Sequence, residues 1–373
     1  GKMPESDFIL VKELENNEGY KTGFIILNSP ETLNSLTLDM VKDILDQLKK
    51  WADDPYLAAV SIEGAGEKAF CAGGDIRALY ESMLQHPGGP NPFSEEFFEQ
   101  EYRLDYMIHT YPKPVICWVD GLAMGGGVGL VLGSDFKLST ERTGFAMPEI
   151  GVGLFPDVGF TSYINKLPKG VAMFLMLTAT KINAADTQAI GLTDYFLHST
   201  KKQEFDKKLS GINWMKDSFS NVHLISSLLE SLEQKEGLGL ESEIKPRLKK
   251  IESLMDGSSL REVSKNLLHL KTDDLWLQKA VRGFKGGSPT SAFIIWDQCV
   301  RAEELNLKEV FQYELDLAIQ VTRHPDFTEG IRAAIIEKDN NPQWKYDEIN
   351  NVPTEWIKEH LEPAWDVNPL EDL

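Results

Sequence analysis

Two glycine-rich loops could polarise a carbonyl group in this sequence. They are residues 70–76 (FCAGGDI) and residues 120–127 (DGLAMGGG), and each follows an apolar run and precedes a helical pattern. Glycine lets a ligand approach the backbone closely, and the first N–H groups of a helix have no intrahelical acceptor. Either loop alone is better explained as a tight turn. As a pair, they predict two N–H groups aimed at one oxygen, which is an oxyanion hole.

A third segment could supply a base. Residues 145–159 (FAMPEIGVGLFPDVG) are apolar apart from Glu149 and Asp157. Desolvation disfavours a charged carboxylate, so these surroundings should raise its pKa. A carboxylate with a raised pKa can accept a proton near neutrality. The alternative, that both side chains only cap backbone N–H groups, is equally compatible with the spacing.

The surrounding pattern places these segments in an α/β core. Apolar runs at 8–12, 23–28, 57–62 and 114–119 indicate strands, and helical patterns follow Thr37, Ile76 and Pro92. A strand, a glycine loop and a helix therefore occur twice, at 57–85 and 114–133. Alternating strands and helices are typical of layered α/β folds.

Beyond about residue 200 the strand patterns give way to amphipathic helices. Ser288 and Pro289 have the residue types of an N-cap and a first helical position. At 373 residues the chain exceeds the size of most single cores. The sequence predicts an α/β region over 1–205 that contains the active site and a mostly helical region over 206–373. Residues 237–239 (GLG) are predicted to form a flexible joint.

Composition disfavours several functional classes. The net charge of −20 opposes binding to nucleic acid or anionic lipid. Three cysteines without a CxxC pair argue against a disulfide framework and a zinc–thiolate site. No apolar run reaches the roughly 18 residues of a membrane span, and the first residues lack a signal-peptide pattern. We expect an intracellular protein, in a bacterial cytoplasm or in a mitochondrial matrix after removal of a presequence.

The common catalytic and nucleotide-binding motifs are missing from the sequence. No HxH, HExxH, GxSxG or GxxxxGK[ST] pattern occurs among its 373 residues. Residues 125–130 (GGGVGL) imitate a dinucleotide-binding fingerprint, but Leu130 occupies the third glycine position. We therefore expect no metal and no redox cofactor.

The ordered segments FCAGGDI, DGLAMGGGVGL and FAMPEIGVGLFPDVG resemble the crotonase (enoyl-CoA hydratase/isomerase) superfamily, and within it the 3-hydroxyisobutyryl-CoA hydrolase family. LNSLTLDM, FFEQEYRLD and DFTEGIRAAIIEKDNNPQWK extend the resemblance over about residues 8–350. It implies a ClpP/crotonase-like spiral of ββα units with a helical C-terminal region. It also implies an acyl-CoA substrate, with coenzyme A as part of that substrate, a role in valine catabolism, and a possible homo-oligomer.

The resemblance also assigns site residues. The N–H groups of Gly74 and Gly126 would form the oxyanion hole, and Glu149 would lie beside the thioester carbonyl. Asp157 and Glu101 would hold the substrate hydroxyl. The remaining residues expected to bind substrate flank the two glycines: Ala72, Asp75, Ile76 and Gly125.

Two departures bear on the reaction. Enoyl-CoA hydratases have a second glutamate two residues beyond the GGG run, where this chain has Gly129, so we expect hydrolysis of a short-chain 3-hydroxyacyl-CoA thioester. Phe160 and Thr161 replace glycines that typically follow PDVG in the hydrolases, so the acyl pocket is expected to differ. Two alternatives remain open: an enoyl-CoA hydratase or isomerase, and a non-catalytic acyl-CoA-binding or scaffold protein.

Overall fold

The computed structural model describes residues 7–234 and 239–373, in which the chain forms ten strands and fifteen α-helices. The strands are β1 (Ile9–Glu15), β2 (Lys21–Leu27), β3 (Leu57–Gly64), β4 (Ala69–Cys71), β5 (Val115–Val119), β6 (Leu122–Met124), β7 (Phe136–Ser139), β8 (Gly144–Ala146), β9 (Ile182–Asn183) and β10 (Tyr195–Phe196). The helices are α1 (Leu38–Ala52), α2 (Ile76–Gln85), α3 (Pro92–His109), α4 (Gly129–Leu132), α5 (Val171–Thr178), α6 (Ala184–Ala189), α7 (Lys202–Ser210), α8 (Ser218–Leu232), α9 (Leu248–Leu254), α10 (Leu260–Leu268), α11 (Leu275–Gly286), α12 (Pro289–Arg301), α13 (Leu307–Thr322), α14 (Pro325–Ile331) and α15 (Thr354–Leu361).

The described residues form two compact units, each built from three separate segments. Unit 1 lies within 1–74, 104–145 and 182–242, and unit 2 within 75–103, 146–181 and 243–373. This differs from the predicted division at residue 205, because segments far apart in sequence pack together in each unit. Residues 237 and 238 of the predicted joint lie outside the described residues.

The main sheet of unit 1 has the strand order β1-β2-β3-β5-β7-β10. β1 and β2 are antiparallel, and the other neighbouring strands are parallel. The strands of this sheet are apolar because both faces of the sheet are buried. In β5, alternate side chains enter two different cores. Val115, Cys117 and Val119 pack in one core with α1, while Ile116 and Trp118 pack in the other with α7 and α8.

A second sheet in unit 1 has the order β4-β6-β8-β9. β4 and β6 have three residues each and were not predicted, because so short an apolar run has no measurable periodicity. Each comes between a long strand and a glycine loop. The observed order is therefore two strands, a glycine loop and a helical segment, repeated twice.

Unit 2 is mostly helical, and its helix α12 begins where the sequence predicts. The Ser288 hydroxyl accepts a hydrogen bond from the Ser291 N–H, with Pro289 at the first position of α12. Asn306 and Glu309 form a capping box at the start of α13. α5 is apolar on nearly every side and buried between other helices. No helix in the described part of the chain has the length and apolar character of a membrane-spanning segment.

Candidate active site

The two glycine loops leave the same edge of the second sheet side by side. β4 and β6 are parallel, with Cys71 paired to Ala123. Gly74 and Gly126 each lie three residues beyond this pair. Because parallel strands end at the same edge of a sheet, the two loops start as neighbours.

The loops are also in direct contact. A Cβ atom on Gly127 would lie 2.1 Å from the Cys71 carbonyl oxygen, so only glycine fits at this position. Gly73 has a φ of +120°, and a Cβ on it would lie 3.8 Å from the Met124 carbonyl oxygen. The glycines therefore allow the backbones of the two loops to touch.

Two backbone hydrogen bonds tie the first loop to residues 33–36. Ala72 N–H donates to the Leu33 carbonyl and Leu36 N–H to the Gly73 carbonyl, each at 2.9 Å. Among the described residues, none of these bonds uses the Gly74 N–H. Ala72, predicted to bind substrate, has its N–H committed to the fold.

The second glycine loop is followed by a shorter helix than the sequence predicts. Residues Gly125–Val128 form a 3-10 turn, followed by only four residues of α-helix. The Gly126 N–H lies in the first turn, where N–H groups have no intrahelical acceptor. A helix dipole contributes little here, so the partial positive charge comes from the N–H groups themselves. Gly74 and Gly126 are both partly exposed, whereas Gly125 is buried.

Asp75 and Ile76 begin α2, in unit 2. The Asp75 carboxylate caps this helix by accepting a hydrogen bond from the Ala78 N–H at 3.3 Å. Ile76 is the first helical residue and is half-buried. The cap accounts for Asp75 structurally, and binding of substrate by these two residues stays a prediction.

Glu149 is a buried carboxyl group of unit 2 with a raised pKa. It begins a 3-10 turn (Glu149–Val152) and its side chain is buried. Among the described residues, neither of its carboxylate oxygens has a hydrogen-bond partner. Burial, followed by the negative charges of Asp157 and Glu314, raises the pKa of Glu149 well above the ordinary value. Such a carboxyl group can act as a base or a nucleophile near neutral pH.

Asp157 lies close enough to Glu149 for the two to interact electrostatically. Its Oδ2 accepts a hydrogen bond of 2.6 Å from the buried Tyr102 hydroxyl. Burial raises the pKa of Asp157 to about 6, while the Tyr102 hydrogen bond opposes this change. Glu101, the neighbour of Tyr102 on α3, is buried. Burial, followed by the charges of Asp157, Glu314 and Glu101, raises the pKa of Tyr102 well above its ordinary value.

Glu314 on α13 is a third buried carboxyl group, and sequence reasoning missed it. Its oxygens accept hydrogen bonds from Gly159 and Thr161, just beyond Asp157. Burial and the Asp157 charge raise the pKa of Glu314 to about 8, against the lowering effect of these bonds. One signal was present, because Glu314 is an acidic residue within the buried apolar stripe of an amphipathic helix. Tyr102 was also missed, although its segment was recognised.

Gly129, the position of the second glutamate in hydratases, lies in unit 1 against Asp105 of α3. A Cβ on Gly129 would lie 2.5 Å from Asp105 Oδ2 and 2.6 Å from Oδ1. Asp105 is 1% exposed, and real Cβ atoms do not approach other atoms this closely. A side chain at position 129 would therefore require the buried Asp105 carboxylate to move.

Comparison with known proteins identifies the family. Residues 22–361 match the model of the family described as enoyl-CoA hydratase/isomerase. The chain is 38% identical over 339 residues to the mitochondrial 3-hydroxyisobutyryl-CoA hydrolase of Danio rerio, covering 90% of this chain and 86% of that protein. It is 34% identical over 342 residues to the Homo sapiens protein of the same name, covering 91% and 86%.

Solved structures agree with this assignment. An enoyl-CoA hydratase from Rhodobacter sphaeroides has a TM-score of 0.81 and 29% identity, covering 96% of this chain and 98% of that one. A carnitinyl-CoA dehydratase from Mycobacterium thermoresistibile has a TM-score of 0.85 and 27% identity, covering 98% and 99%. The likeness confirms the crotonase fold expected from the glycine-loop motifs. With a family model matched over most of its length, the chain belongs to the enoyl-CoA hydratase/isomerase (crotonase) family.

Proposed function

We propose that this protein hydrolyses a short-chain 3-hydroxyacyl-CoA thioester, of the 3-hydroxyisobutyryl type, to the free acid and coenzyme A. The observation with the most weight is Glu149, a buried carboxyl group with a raised pKa and no hydrogen-bond partner among the described residues. The names of the relatives support thioester hydrolysis as the reaction and 3-hydroxyisobutyryl-CoA as the substrate. They also support the mitochondrial rather than the cytoplasmic location.

In this proposal the thioester carbonyl oxygen accepts hydrogen bonds from the Gly74 and Gly126 N–H groups. These donors stabilise the negative charge that develops on the oxygen as the carbonyl carbon is attacked. The contact between the two loops supports the pairing, because it fixes the two N–H groups on neighbouring stretches of backbone.

Glu149 has two possible roles in the attack. As a nucleophile it forms a C–O bond to the acyl carbon while the C–S bond breaks, and water then hydrolyses the mixed anhydride. As a base it takes a proton from water, which attacks directly. In both routes coenzyme A leaves as a thiolate, and with a pKa near the ~8.5 of a free thiol it needs no strong acid.

Asp157 and Glu101 are assigned to the 3-hydroxyl group of the substrate. Asp157 is held by Tyr102, which leaves its second oxygen, Oδ1, as an acceptor for a hydroxyl group. A site that bonds a substrate hydroxyl discriminates strongly against esters that lack one. The preference for hydroxylated esters is therefore the expected specificity.

The packing around Gly129 argues against the hydratase alternative. Hydration of a double bond needs one group to activate water and another to supply a proton to carbon. The second glutamate of the hydratases has no counterpart at position 129, and Asp105 fills the space that its Cβ would need. Hydrolysis requires no proton transfer to carbon, so it is compatible with glycine here.

The test is release of free thiol from 3-hydroxyisobutyryl-CoA, with crotonyl-CoA as the rival substrate. We expect thiol release from the first and no hydration of the second. Glu149→Gln keeps the shape of the side chain but removes the base, so kcat should fall by about 10²- to 10⁴-fold. Near-normal turnover of this variant would refute the role of Glu149.

Glu309→Gln is the matched control. Glu309 is exposed at the start of α13, and a glutamine can still accept the hydrogen bond from the Asn306 N–H. We expect this variant to retain wild-type kcat. Label in Glu149 after a single turnover in ¹⁸O-labelled water would identify the anhydride route, because direct attack by water on the thioester cannot place label there.

A further inference from the structure

We propose that Glu314 is a positioning residue for hydrolysis, which fixes the loop of residues 156–161 so that Asp157 is presented to the substrate. This inference rests on the proposed function, because Asp157 is assigned there to the substrate hydroxyl. Glu314 lies on α13, 157 positions beyond Asp157 in the sequence, within the same unit. It is fully buried.

Three donors on the loop bind the two oxygens of Glu314. Gly159 N–H donates to Oε1 at 2.7 Å. Thr161 donates to Oε2 twice, from its N–H at 3.2 Å and from its hydroxyl at 2.7 Å. The loop is therefore fastened to α13 at two residues.

Gln298 on α12 holds the other side of Asp157. Its Nε2 donates to the Pro156 carbonyl at 2.6 Å and to the Thr161 hydroxyl oxygen at 3.0 Å. Since the hydroxyl accepts from Gln298, its proton is directed to Glu314. One continuous chain of hydrogen bonds thus joins the residue before Asp157 to those after it.

The loop needs such support because its backbone is strained. Val158, directly after Asp157, has a φ of +52°. Left-handed backbone is a genuine outlier for a β-branched residue and costs about 1–3 kcal/mol. Gly159 also has positive φ, and a Cβ there would lie 2.8 Å from the Phe311 ring, one turn before Glu314 on α13. Helix α13 therefore contacts this strained segment on two successive turns.

The consequence of this arrangement is the position of the Asp157 carboxyl group. The strained turn directs it to the Tyr102 hydroxyl, at 2.6 Å. Without Glu314 the backbone at 158 can relax, and Asp157 would move away from this bond. Displacement of a reacting or binding group by about 1 Å can cost ~10²-fold in rate.

The experiment uses Glu314→Gln in the full chain, with Glu309→Gln as the same change on an exposed part of the same helix. In Glu314→Gln an NH₂ group replaces one of the two carboxylate oxygens and faces an N–H group of the loop. The hydrogen bonding between Glu314 and the loop is therefore disrupted with little change in side-chain volume. We expect kcat on 3-hydroxyisobutyryl-CoA to fall about 10- to 100-fold. The loss on isobutyryl-CoA, which has no 3-hydroxyl, should be under about threefold, since Asp157 has no hydroxyl group to hold.

A double-mutant cycle tests whether Glu314 acts through Asp157. Added to Asp157→Asn, the Glu314→Gln change should cost less than about threefold, because residues that act together are not additive. Equal losses on both esters, or a full additional loss in the double variant, would overturn the proposal. A merely structural residue would lower the amount of folded enzyme without changing the ratio of the two substrates.

Two further measurements keep the inference independent of folding yield and of the reaction. Thr161→Val removes the hydroxyl group with its two hydrogen bonds, to Glu314 and from Gln298, but keeps the two N–H bonds to Glu314. We expect the same substrate pattern with a smaller loss. A crystal structure of Glu314→Gln should show the Tyr102–Asp157 bond lengthened, and an unmoved loop would overturn the proposal. If the wild-type protein releases thiol from neither ester, the proposed function fails, and the crystal structure still tests the positioning role.

Discussion

Replacement of Asp157 by asparagine should make the protein more stable above neutral pH. The carboxyl group is 3% exposed, and burial raises its pKa from 3.8 to about 6. Each pKa unit corresponds to about 1.4 kcal/mol. The ionised side chain therefore destabilises the folded state by roughly 3 kcal/mol. An asparagine has no charge to bury, and its amide oxygen can still accept the Tyr102 hydroxyl.

The effect depends on pH in a definite direction. The folded state binds the Asp157 proton more tightly than the unfolded state, so stability falls as pH rises between the two pKa values. The protonated Asp157 carboxyl group contributes its full stabilisation to the folded state below about pH 3.8. This contribution is lost as the pH rises to about 6. Asp157 also raises the pKa values of Glu149 and Glu314, so its removal favours their ionisation and acts in the same direction.

The measurement is the free energy of unfolding in urea, for wild type and variant, at pH 4 and pH 7.5. We expect the advantage of the variant to grow by about 2–3 kcal/mol between the two pH values. Asp347→Asn is the control, because that carboxylate is exposed and remains in water when the protein folds. A difference between Asp157→Asn and wild type that is constant with pH would refute this account of the buried carboxyl group.

Two further predictions concern the glycine loops. Gly127→Ala would place a Cβ 2.1 Å from the Cys71 carbonyl oxygen, so the two loops must separate. We expect kcat to fall by about 10²- to 10³-fold, because the oxyanion hole would lose its geometry. Normal turnover in a thiol-release assay would contradict this. Gly129→Glu should give no hydration of crotonyl-CoA, because Asp105 occupies the space for the side chain. The measurement is loss of the conjugated double bond of crotonyl-CoA in the presence of Gly129→Glu. Hydratase activity of this variant would show that the packing does not exclude a functional glutamate at position 129.

Much of the local structure follows from short-range patterns. Thr37 and Ser288 were recognisable as helix starts, and the structure has their side chains accepting hydrogen bonds from the first turns of α1 and α12. These features depend on residues three or four positions apart, so the sequence displays them directly. The short strands β4 and β6 were not predictable, because their pairing with each other determines them, and not their own apolar pattern.

In the candidate site, too, some features follow from the local sequence and others only from the tertiary structure. The sequence by itself determined the chemical groups: two glycine loops that expose N–H groups, and two carboxyl groups in an apolar segment whose desolvation raises their pKa values. Only the tertiary structure decided which groups meet. Tyr102 reaches Asp157 across 55 residues and Glu314 reaches Gly159 across 155. Contacts between such distant residues leave no local periodicity, because they arise only when separate segments pack against one another.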